Sequence, residues 1–573
     1  MAIVKATSLR RHGLRAALLA GAVAAAMGAG EADSGENEAK LSSAFGAYLA
    51  GRFAVQSRDL GVAAVEFERA LRDDPGIPEL SNQAFLAALL SGEALASRLA
   101  AGLPDNPLAQ LVLADQDGKA GRWLAAEGRF SALPQQQALT QVLRPLLIAW
   151  AQQAQGHSDE ALNLLEPLVA GTRFRGVYAL HAAMIADLAG KTDQAARLYG
   201  IAAADYGSAN LRLGIILASW KARRGDVAGA QGTIDELTAA DGDLAMARQA
   251  LKANVAALPV RGPADGIAEA YLALAATLRE QSAESALVML RLALDMRPGL
   301  TAARILLADI DDAAKQPEAA LATLSVVADE DPLAPIVALR RGALLAERGQ
   351  LEAAEQVFDR LAREHPDRPE PLAQKGDMLR RKERFAEAAA AYSAAIARLG
   401  TPSRSNWPLF YARGIALERA GDWAHAEPDF RYALELAPDQ PSILNYLAYS
   451  WAERGENLDE ARGMLERAVA ARPNEGAIID SLGWVMLRQG DSAAAIKQLD
   501  RAVELQPEDP VINGHLGDAL AAAGRLREAE FQWRRALNLK PDEQDAKKLN
   551  EKLAALPDPA VLPANSPASA PPH

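Results

Sequence analysis

Seven prolines recur at a nearly constant spacing and constrain the fold of this chain more than any other feature. They are Pro298, Pro332, Pro366, Pro438, Pro473, Pro507 and Pro541, at intervals of 34, 34, 72, 35, 34 and 34 residues. The long interval holds two units, since Gly400 occupies the skipped proline position and residues 401–406 lengthen that connection. A period of this length is typical of stacked repeats, each of which buries its apolar face against its neighbours.

Each unit is predicted to be two helices joined by a tight turn. A small–large–small triplet precedes the proline, as in Ala529, Trp533 and Ala536 before Pro541. Residues three and four apart share one helix face, so a neighbouring helix can approach the small residues while the large one fills its groove. Glycines mark the turn, where a left-handed backbone is easiest for glycine: Gly156, Gly190, Gly225, Gly349, Gly421, Gly455, Gly490 and Gly524.

This unit resembles the tetratricopeptide repeat. Leu482-Gly483, Leu516-Gly517 and the triplet before Pro541 match its motif closely. The resemblance implies an all-α fold, a right-handed α-solenoid of about a dozen helix-turn-helix units. Seven clear units are expected between about residues 267 and 543, with weaker units before them.

The predicted organisation has five segments. They are a signal peptide or N-terminal anchor (1–30), degenerate repeats (31–241), an irregular helix or hinge (242–266), a C-terminal superhelix (267–543), and a terminal helix followed by a Pro/Ala-rich disordered tail (544–573). The periodicity fails in 242–266, which predicts either a hinge or a repeat insertion without motion.

The N-terminus has the pattern of an export signal. Lys5, Arg10, Arg11 and Arg15 precede an uncharged, mostly apolar stretch over residues 16–30, as in a secretory signal peptide. These 15 residues are fewer than the roughly 20 that a membrane-spanning helix needs. We therefore expect cleavage and a periplasmic protein. The alternatives are a retained inner-membrane anchor, the one case in which membrane contact is expected, and a cytoplasmic protein.

Composition and motifs argue against several classes of function. A net charge of -13 disfavours nucleic acid. The absence of Cys excludes disulfides, thiolate metal sites and lipid attachment through Cys. None of the seven His lies in an H-E-x-x-H metal-site pattern, and Gly190-Lys191-Thr192 lacks the earlier glycine of a phosphate-binding loop. We expect no cofactor, no metal, no small-molecule substrate and no catalysis.

A stack of helix pairs offers a long groove lined by the first helix of each pair, which suits binding to proteins. Helix phase predicts these groove residues: Asp377, Arg380, Arg381, Tyr411, Glu418, Arg419, Asn445, Tyr449, Asp480, Trp484, Arg488 and Asp518. They combine aromatic side chains with arginines, which are enriched in interface hot spots. The alternative is that Tyr449 and Trp484 only pack between repeats and that the charges are solvated.

Three segments, residues 443–451, 478–484 and 513–518, resemble a proteobacterial group of long, exported tetratricopeptide proteins. Members of this wider class act as adaptors or scaffolds, including for carboxyl-terminal processing proteases that degrade cell-wall hydrolases. The resemblance implies a non-catalytic scaffold or adaptor in the cell envelope whose partners are proteins, such as an envelope protease or cell-wall enzymes. Relatives of this kind are often lipoproteins, whereas this chain has no Cys to lipidate.

Overall fold

The computed structural model describes residues 35–557, except 75–76, 135–137, 172–173, 207–209 and 240. The predicted signal segment and residues 558–573 of the predicted tail lie outside this range. All regular structure in the described residues is helical, which confirms the all-α fold class. In this part of the chain, no helix is both long enough and apolar enough to cross a membrane.

The chain divides into two compact units between Gln350 and Leu351. The first unit contains helices α1 Gly35–Gln56, α2 Leu60–Asp73, α3 Pro78–Ser91, α4 Leu95–Ala100, α5 Pro107–Lys119, α6 Trp123–Ala132, α7 Ala138–Ala154, α8 Ser158–Ala170, α9 Arg175–Leu188, α10 Thr192–Tyr206, α11 Leu211–Arg223, α12 Val227–Ala239, α13 Gly242–Ala245, α14 Arg248–Ala253, α15 Pro263–Leu278, α16 Ala283–Met296, α17 Thr301–Ala313, α18 Pro317–Ser325 and α19 Ala334–Glu347. The second contains α20 Leu351–Glu364, α21 Glu370–Arg381, α22 Phe385–Ile396, α23 Trp407–Arg419, α24 Trp423–Leu436, α25 Pro441–Arg454, α26 Leu458–Ala471, α27 Gly476–Arg488, α28 Ser492–Leu505, α29 Pro510–Ala522, α30 Leu526–Asn538 and α31 Glu543–Ala554.

The turn between the two helices of a pair is left-handed, as predicted. All eight predicted turn glycines have positive φ, between 70° and 88°. Gly92 and Gly121 adopt the same conformation in earlier turns, where the sequence pattern is weaker. Three other turns place Arg58, Lys315 and Glu383 in this region instead, at φ 58°, 62° and 60°. The turn geometry therefore persists even where the residue is less suited to it.

The predicted small–large–small triplet packs against a glycine of the first helix in the same pair. Ala529 and Ala536 are fully buried and Trp533 is 5% exposed. A Cβ atom added to Gly517 would lie 2.4 Å from Cδ1 of Trp533. In the preceding pair, a Cβ atom on Gly483 would lie 2.6 Å from Cγ of Leu499. The Leu-Gly motif of the first helix and the triplet of the second are thus two halves of one close contact.

In the first unit, α15 and α16 pack across the first helices of four earlier pairs: α3, α5, α7 and α9. The hydroxyl of Tyr271 on α15 donates to both carboxylate oxygens of Asp115 on α5, each at 3.0 Å, and both residues are fully buried. Burial raises the pKa of Asp115 well above its usual value. Gly266 of α15 lies against the buried indole of Trp150 on α7, whose N–H donates to Nδ1 of His181 at 2.9 Å.

Charged contacts reinforce this packing. Glu269 on α15 is 4% exposed and forms a bidentate ion pair with Arg212 on α11. Lys119 pairs with Asp295 at 2.7 Å, and Nε of Arg291 donates to the carbonyl oxygen of Leu90 at 2.7 Å. The chain's own residues 263–296 therefore occupy first-helix surface in this unit that a partner would otherwise contact.

The segment predicted as an irregular helix or hinge lies inside the first unit. It holds the short helices α13 and α14 and an irregular stretch before α15. The hydroxyl of Ser219 donates to the carbonyl oxygen of Ala257 at 2.7 Å, and Arg297 donates to that of Pro259 at 2.6 Å. The choice between a hinge and a static insertion stays a prediction, and so do the five proposed segment boundaries.

Replacing Gly517 by Ala tests the contact that joins the two helices of a pair. We expect a loss of about 1–3 kcal/mol in unfolding free energy, because the added methyl forces Trp533 out of position. The matched control is Gly463→Ala, since Gly463 is exposed in the middle of α26 with open space around it. The control should gain about 0.5–1 kcal/mol from improved helix propensity. Urea denaturation followed by circular dichroism measures both, and equal stability of the two variants would contradict the contact.

Candidate partner-binding surface

All twelve predicted groove residues lie on the first helices of five successive pairs in the second unit. Asp377, Arg380 and Arg381 lie on α21; Tyr411, Glu418 and Arg419 on α23; Asn445 and Tyr449 on α25; Asp480, Trp484 and Arg488 on α27; and Asp518 on α29. Contacts join α21 to α23, α25 to α27, and α27 to α29. We call the surface formed by these twelve residues the first-helix face. That it binds a partner stays a prediction.

Aromatic rings connect neighbouring helices of this face. Tyr411 meets Tyr446 edge-on, with ring centroids 5.8 Å apart and an interplanar angle of 85°. The hydroxyl of Tyr446 donates to Oε2 of Glu418 at 3.1 Å, which links α25 to α23. Burial raises the pKa of both tyrosines, so their hydroxyl groups stay protonated.

A second group, which we call the His515 cluster, comprises Tyr449, Glu453, Asp480, Trp484 and His515. The indole of Trp484 stacks on the His515 ring at 4.2 Å and 20°, and its N–H donates to Oε1 of Glu453 at 2.6 Å. Nδ1 of His515 lies 3.0 Å from both carboxylate oxygens of Asp480, which is 5% exposed. The cluster therefore links α25, α27 and α29 through hydrogen bonds and stacking.

Two opposing effects act on His515. Burial alone would lower its pKa, but the carboxylates of Asp480, Asp518 and Glu453 outweigh burial and raise the pKa above 6.5. Sequence reasoning missed this residue, because helix phase placed only Asp518 of α29 at a groove position. Its spacing of 35 residues from Asp480, one repeat, was the available signal.

Several predicted groove residues are held by contacts within their own unit. Asp377 accepts a hydrogen bond from the hydroxyl of Tyr392 at 2.7 Å, and Nε of Arg380 donates to the same hydroxyl at 3.2 Å. At the other end, Asp518 accepts from the indole N–H of Trp533 at 2.9 Å and from Lys552 at 2.7 Å. These carboxylates therefore support the face as well as line it.

Asn445 differs from these residues. Its Oδ1 atom is buried, yet no hydrogen-bond donor of the described residues reaches it. A buried amide oxygen without a partner is costly.

Other features of the described residues give less support for a site. No cluster of three or more His, Asp or Glu side chains in them is arranged to hold a metal ion. A cavity of about 350 Å³ in the first unit lies beside the irregular stretch before α15. Its arginines Arg212 and Arg297 already pair with Glu269. The first-helix face is therefore the stronger candidate.

Replacing Asp480 by Asn tests the electrostatics of the His515 cluster. Asn keeps a hydrogen-bond acceptor but removes the charge, so we expect the pKa of His515 to fall. Because the pKa of His515 is raised in the folded state, its ion pair contributes stability below pH ~6.5 that is lost as pH rises through the raised pKa. Asp480→Asn should therefore destabilise the protein more at pH 6 than at pH 9.

Titration of selectively labelled histidines by nuclear magnetic resonance measures this pKa, with His515→Gln to assign the signal. The matched control is Asp422→Asn, which removes a carboxylate 2.8 Å from the exposed ring of His425. The control should leave the pKa of His515 unchanged. An unchanged His515 pKa in Asp480→Asn would contradict the assigned cause.

Comparisons with known proteins agree with this architecture. Models of the tetratricopeptide repeat match residues 277–342, 337–368, 411–476 and 481–545. A curated relative, TPR repeat-containing protein PA4667 of Pseudomonas aeruginosa, is 31% identical over 162 residues. That match covers 28% of this chain and 27% of the relative, so only about a quarter of the relative's length is matched.

Solved structures with similar folds include two tetratricopeptide-type proteins of low identity. A tetratricopeptide repeat protein from Parabacteroides merdae is 15% identical, covering 44% of this chain and 97% of that chain, with a TM-score of 0.36. The APC/C hetero-tetramer Cut9-Hcn1 is also 15% identical, covering 88% of this chain and 95% of that chain, with a TM-score of 0.37. We draw no conclusion about function from TM-scores of 0.36 and 0.37.

The family assignment rests on the repeat matches and on the helix pairs that they cover. Matched residues 481–545 contain both Gly483 and Gly517 with the large side chains that pack on them. The matched repeats also contain the left-handed turn glycines Gly349, Gly421, Gly455, Gly490 and Gly524. Residues 277–368, 411–476 and 481–545 of the chain are tetratricopeptide repeats.

Proposed function

We propose that this protein is a non-catalytic scaffold or adaptor that binds a segment of another protein on the first-helix face of its second unit. One observation carries the proposal. In the first unit, α15 and α16 pack on the first helices of four earlier pairs, whereas in the described part of the second unit no helix makes comparable contacts across several first helices. The terminal helix α31 contacts the first-helix face at one end, where Lys552 donates to Asp518. Tetratricopeptide repeats in general mediate binding between proteins, and this unit keeps that surface open.

The chemistry of the face suits an extended polypeptide segment. Tyr411, Tyr449 and Trp484 are half-buried, so each has part of its ring fixed by neighbours and part open to solvent. Such rings supply contact area at low cost in conformational entropy. A segment without its own secondary structure exposes its backbone and its side chains to such a surface.

The proposal includes export to the periplasm and, as a specific role, the delivery of substrates to a carboxyl-terminal processing protease. Support comes from the basic residues before the uncharged stretch 16–30, and from the resemblance of residues 443–451, 478–484 and 513–518 to exported scaffold proteins. The competing proposal is an assembly factor anchored in the inner membrane or located in the cytoplasm.

The double variant Trp484→Ala, Arg488→Glu tests the binding face. We expect it to lose most of the proteins that the wild type captures by crosslinking from its own envelope fraction, while its circular dichroism spectrum stays helical. The matched control changes an aromatic residue and an arginine on a second helix: Phe531→Ala, Arg534→Glu, both well exposed on α30. The control should retain the captured proteins.

Mass spectrometry identifies the captured proteins. Recovery of a carboxyl-terminal processing protease or of cell-wall hydrolases supports the adaptor role. Equal capture by both double variants would contradict binding at this face. A loss of helicity in the Trp484→Ala, Arg488→Glu variant would mean that Trp484 is needed for the fold.

N-terminal sequencing of the protein from fractionated cells tests its location. We expect a mature chain in the periplasmic fraction that begins near residue 31, because the uncharged stretch 16–30 is short for a membrane span. A chain that begins at Met1 and stays with membranes would contradict export and favour the anchored alternative.

A further inference from the structure

The first-helix face carries four carboxylates and four arginines. The carboxylates are hydrogen-bonded within the unit, whereas three of the arginines have no carboxylate partner among the described residues, and this difference bears on the chemistry of the partner. We infer that the segment bound there is acidic and places Asp or Glu side chains against a row of arginines formed by Arg381, Arg419 and Arg488. This inference rests on the proposed function and goes further, because it names the chemistry of the partner.

The carboxylates on and beside this face are already engaged. Each accepts a hydrogen bond from a neighbouring side chain: Asp377 from Tyr392, Glu418 from Tyr446, Glu453 from Trp484, Asp480 from His515, and Asp518 from Trp533 and Lys552. The six donors are two tyrosines, two tryptophans, one histidine and one lysine. Binding a cation at one of these carboxylates would disturb a contact that holds two helices together.

The three arginines are in the opposite situation. Each is exposed, and the structure gives none of them a carboxylate partner within the described residues. Arg419 lies over the ring of Phe385 at 5.1 Å, and Arg488 lies over Trp484 at 6.0 Å. Contact with a ring positions a guanidinium but leaves its hydrogen-bond donors available for a carboxylate.

The positions of these arginines are equivalent. Arg381, Arg419 and Arg488 are the last residues of α21, α23 and α27. The corresponding last residue of α25 is Arg454, which instead pairs with Glu456 at 3.3 Å. A cation at this position also interacts favourably with the helix dipole, which accounts for an arginine there without requiring a ligand. The dipole does not use the guanidinium donors, so a carboxylate can still bind them.

The row has a spacing that an extended segment can match. Neighbouring packed helices lie about 8–10 Å apart, and an extended chain rises about 3.3 Å per residue. Acidic side chains about three residues apart would therefore reach Arg381 and Arg419 on neighbouring first helices, whereas Arg488, which lies two first helices beyond Arg419, requires about six residues. The whole chain carries a net charge of -13, so local attraction at the arginines must overcome overall repulsion of an acidic segment, and the arginines provide the selectivity.

Three labelled 15-residue peptides test the inference with the full-length protein by fluorescence anisotropy. They share the same proline and tyrosine positions and carry Glu, Gln or Lys at every third residue. We expect the Glu peptide to bind about tenfold more tightly than the Gln peptide and the Lys peptide to bind least. The advantage of the Glu peptide should shrink between 50 and 500 mM NaCl, because salt screens exposed charges.

Arginine variants locate the effect. Arg381→Gln, Arg419→Gln and Arg488→Gln should each weaken binding of the Glu peptide several-fold and leave binding of the Gln peptide unchanged. The matched control is Arg534→Gln on α30, whose side chain is 68% exposed and lies on a second helix. It should change neither affinity.

The outcomes separate the two proposals. If the Lys or Gln peptide binds as tightly as the Glu peptide, or if the three arginine variants keep the preference for Glu, the charge assignment is wrong and the binding face stands. If none of the three peptides binds more tightly to the full-length protein than to an unrelated helical protein, both the acidic partner and the proposed peptide-binding face are overturned.

Discussion

The close approach of two helices at a glycine is the contact that holds several of the helix pairs together. Where Trp533 lies on Gly517, or Leu499 on Gly483, no room remains for even one more carbon atom on the first helix. The approach fixes the distance and angle between the two helices. The contact recurs at Gly376, Gly414, Gly483 and Gly517, so these four pairs present their first helices in the same way. Side chains one repeat apart therefore become neighbours. The link between Asp480 and His515, which lie 35 residues apart, follows from this regularity.

The first unit uses the same pairs for another purpose. Its first helices pack against α15 and α16, and the contacts include buried polar groups. Asp115 and Tyr271 are 156 residues apart in sequence and fully buried together. An ionised carboxylate is costly at such a position, and burial raises its pKa accordingly. Burial likewise lowers the pKa of His181 to about 3, so that its ring stays neutral beside Trp150. The first helices of this unit therefore line a buried core and do not form an open groove.

The second unit keeps its first helices open, and its polar groups divide into two classes. Carboxylates such as Asp480 and Asp518 are hydrogen-bonded between helices and help to set the spacing of the repeats. Arginines such as Arg381 and Arg419 project from the ends of their helices without ion pairs in the described part of the chain. A surface of this kind combines half-buried aromatic rings with arginines that have no carboxylate partner in the described part of the chain. Neither class can be recognised from composition, because both consist of ordinary charged residues on amphipathic helices.

The sequence by itself determined the repeat. The prolines, turn glycines and small–large–small triplets each meet a local requirement of the helix pair, for a turn or for close packing. Because each requirement recurs once per repeat, the residues that meet it appear at a fixed spacing in the sequence. Helix phase also placed the twelve groove residues on first helices, since the position of a side chain around a helix depends only on its number. Only the tertiary structure decided which first helices stay accessible and which charges are paired. Those outcomes depend on contacts between residues far apart in sequence, such as Glu269 with Arg212 and Trp484 with His515. The spacing of the repeats does not predict these contacts.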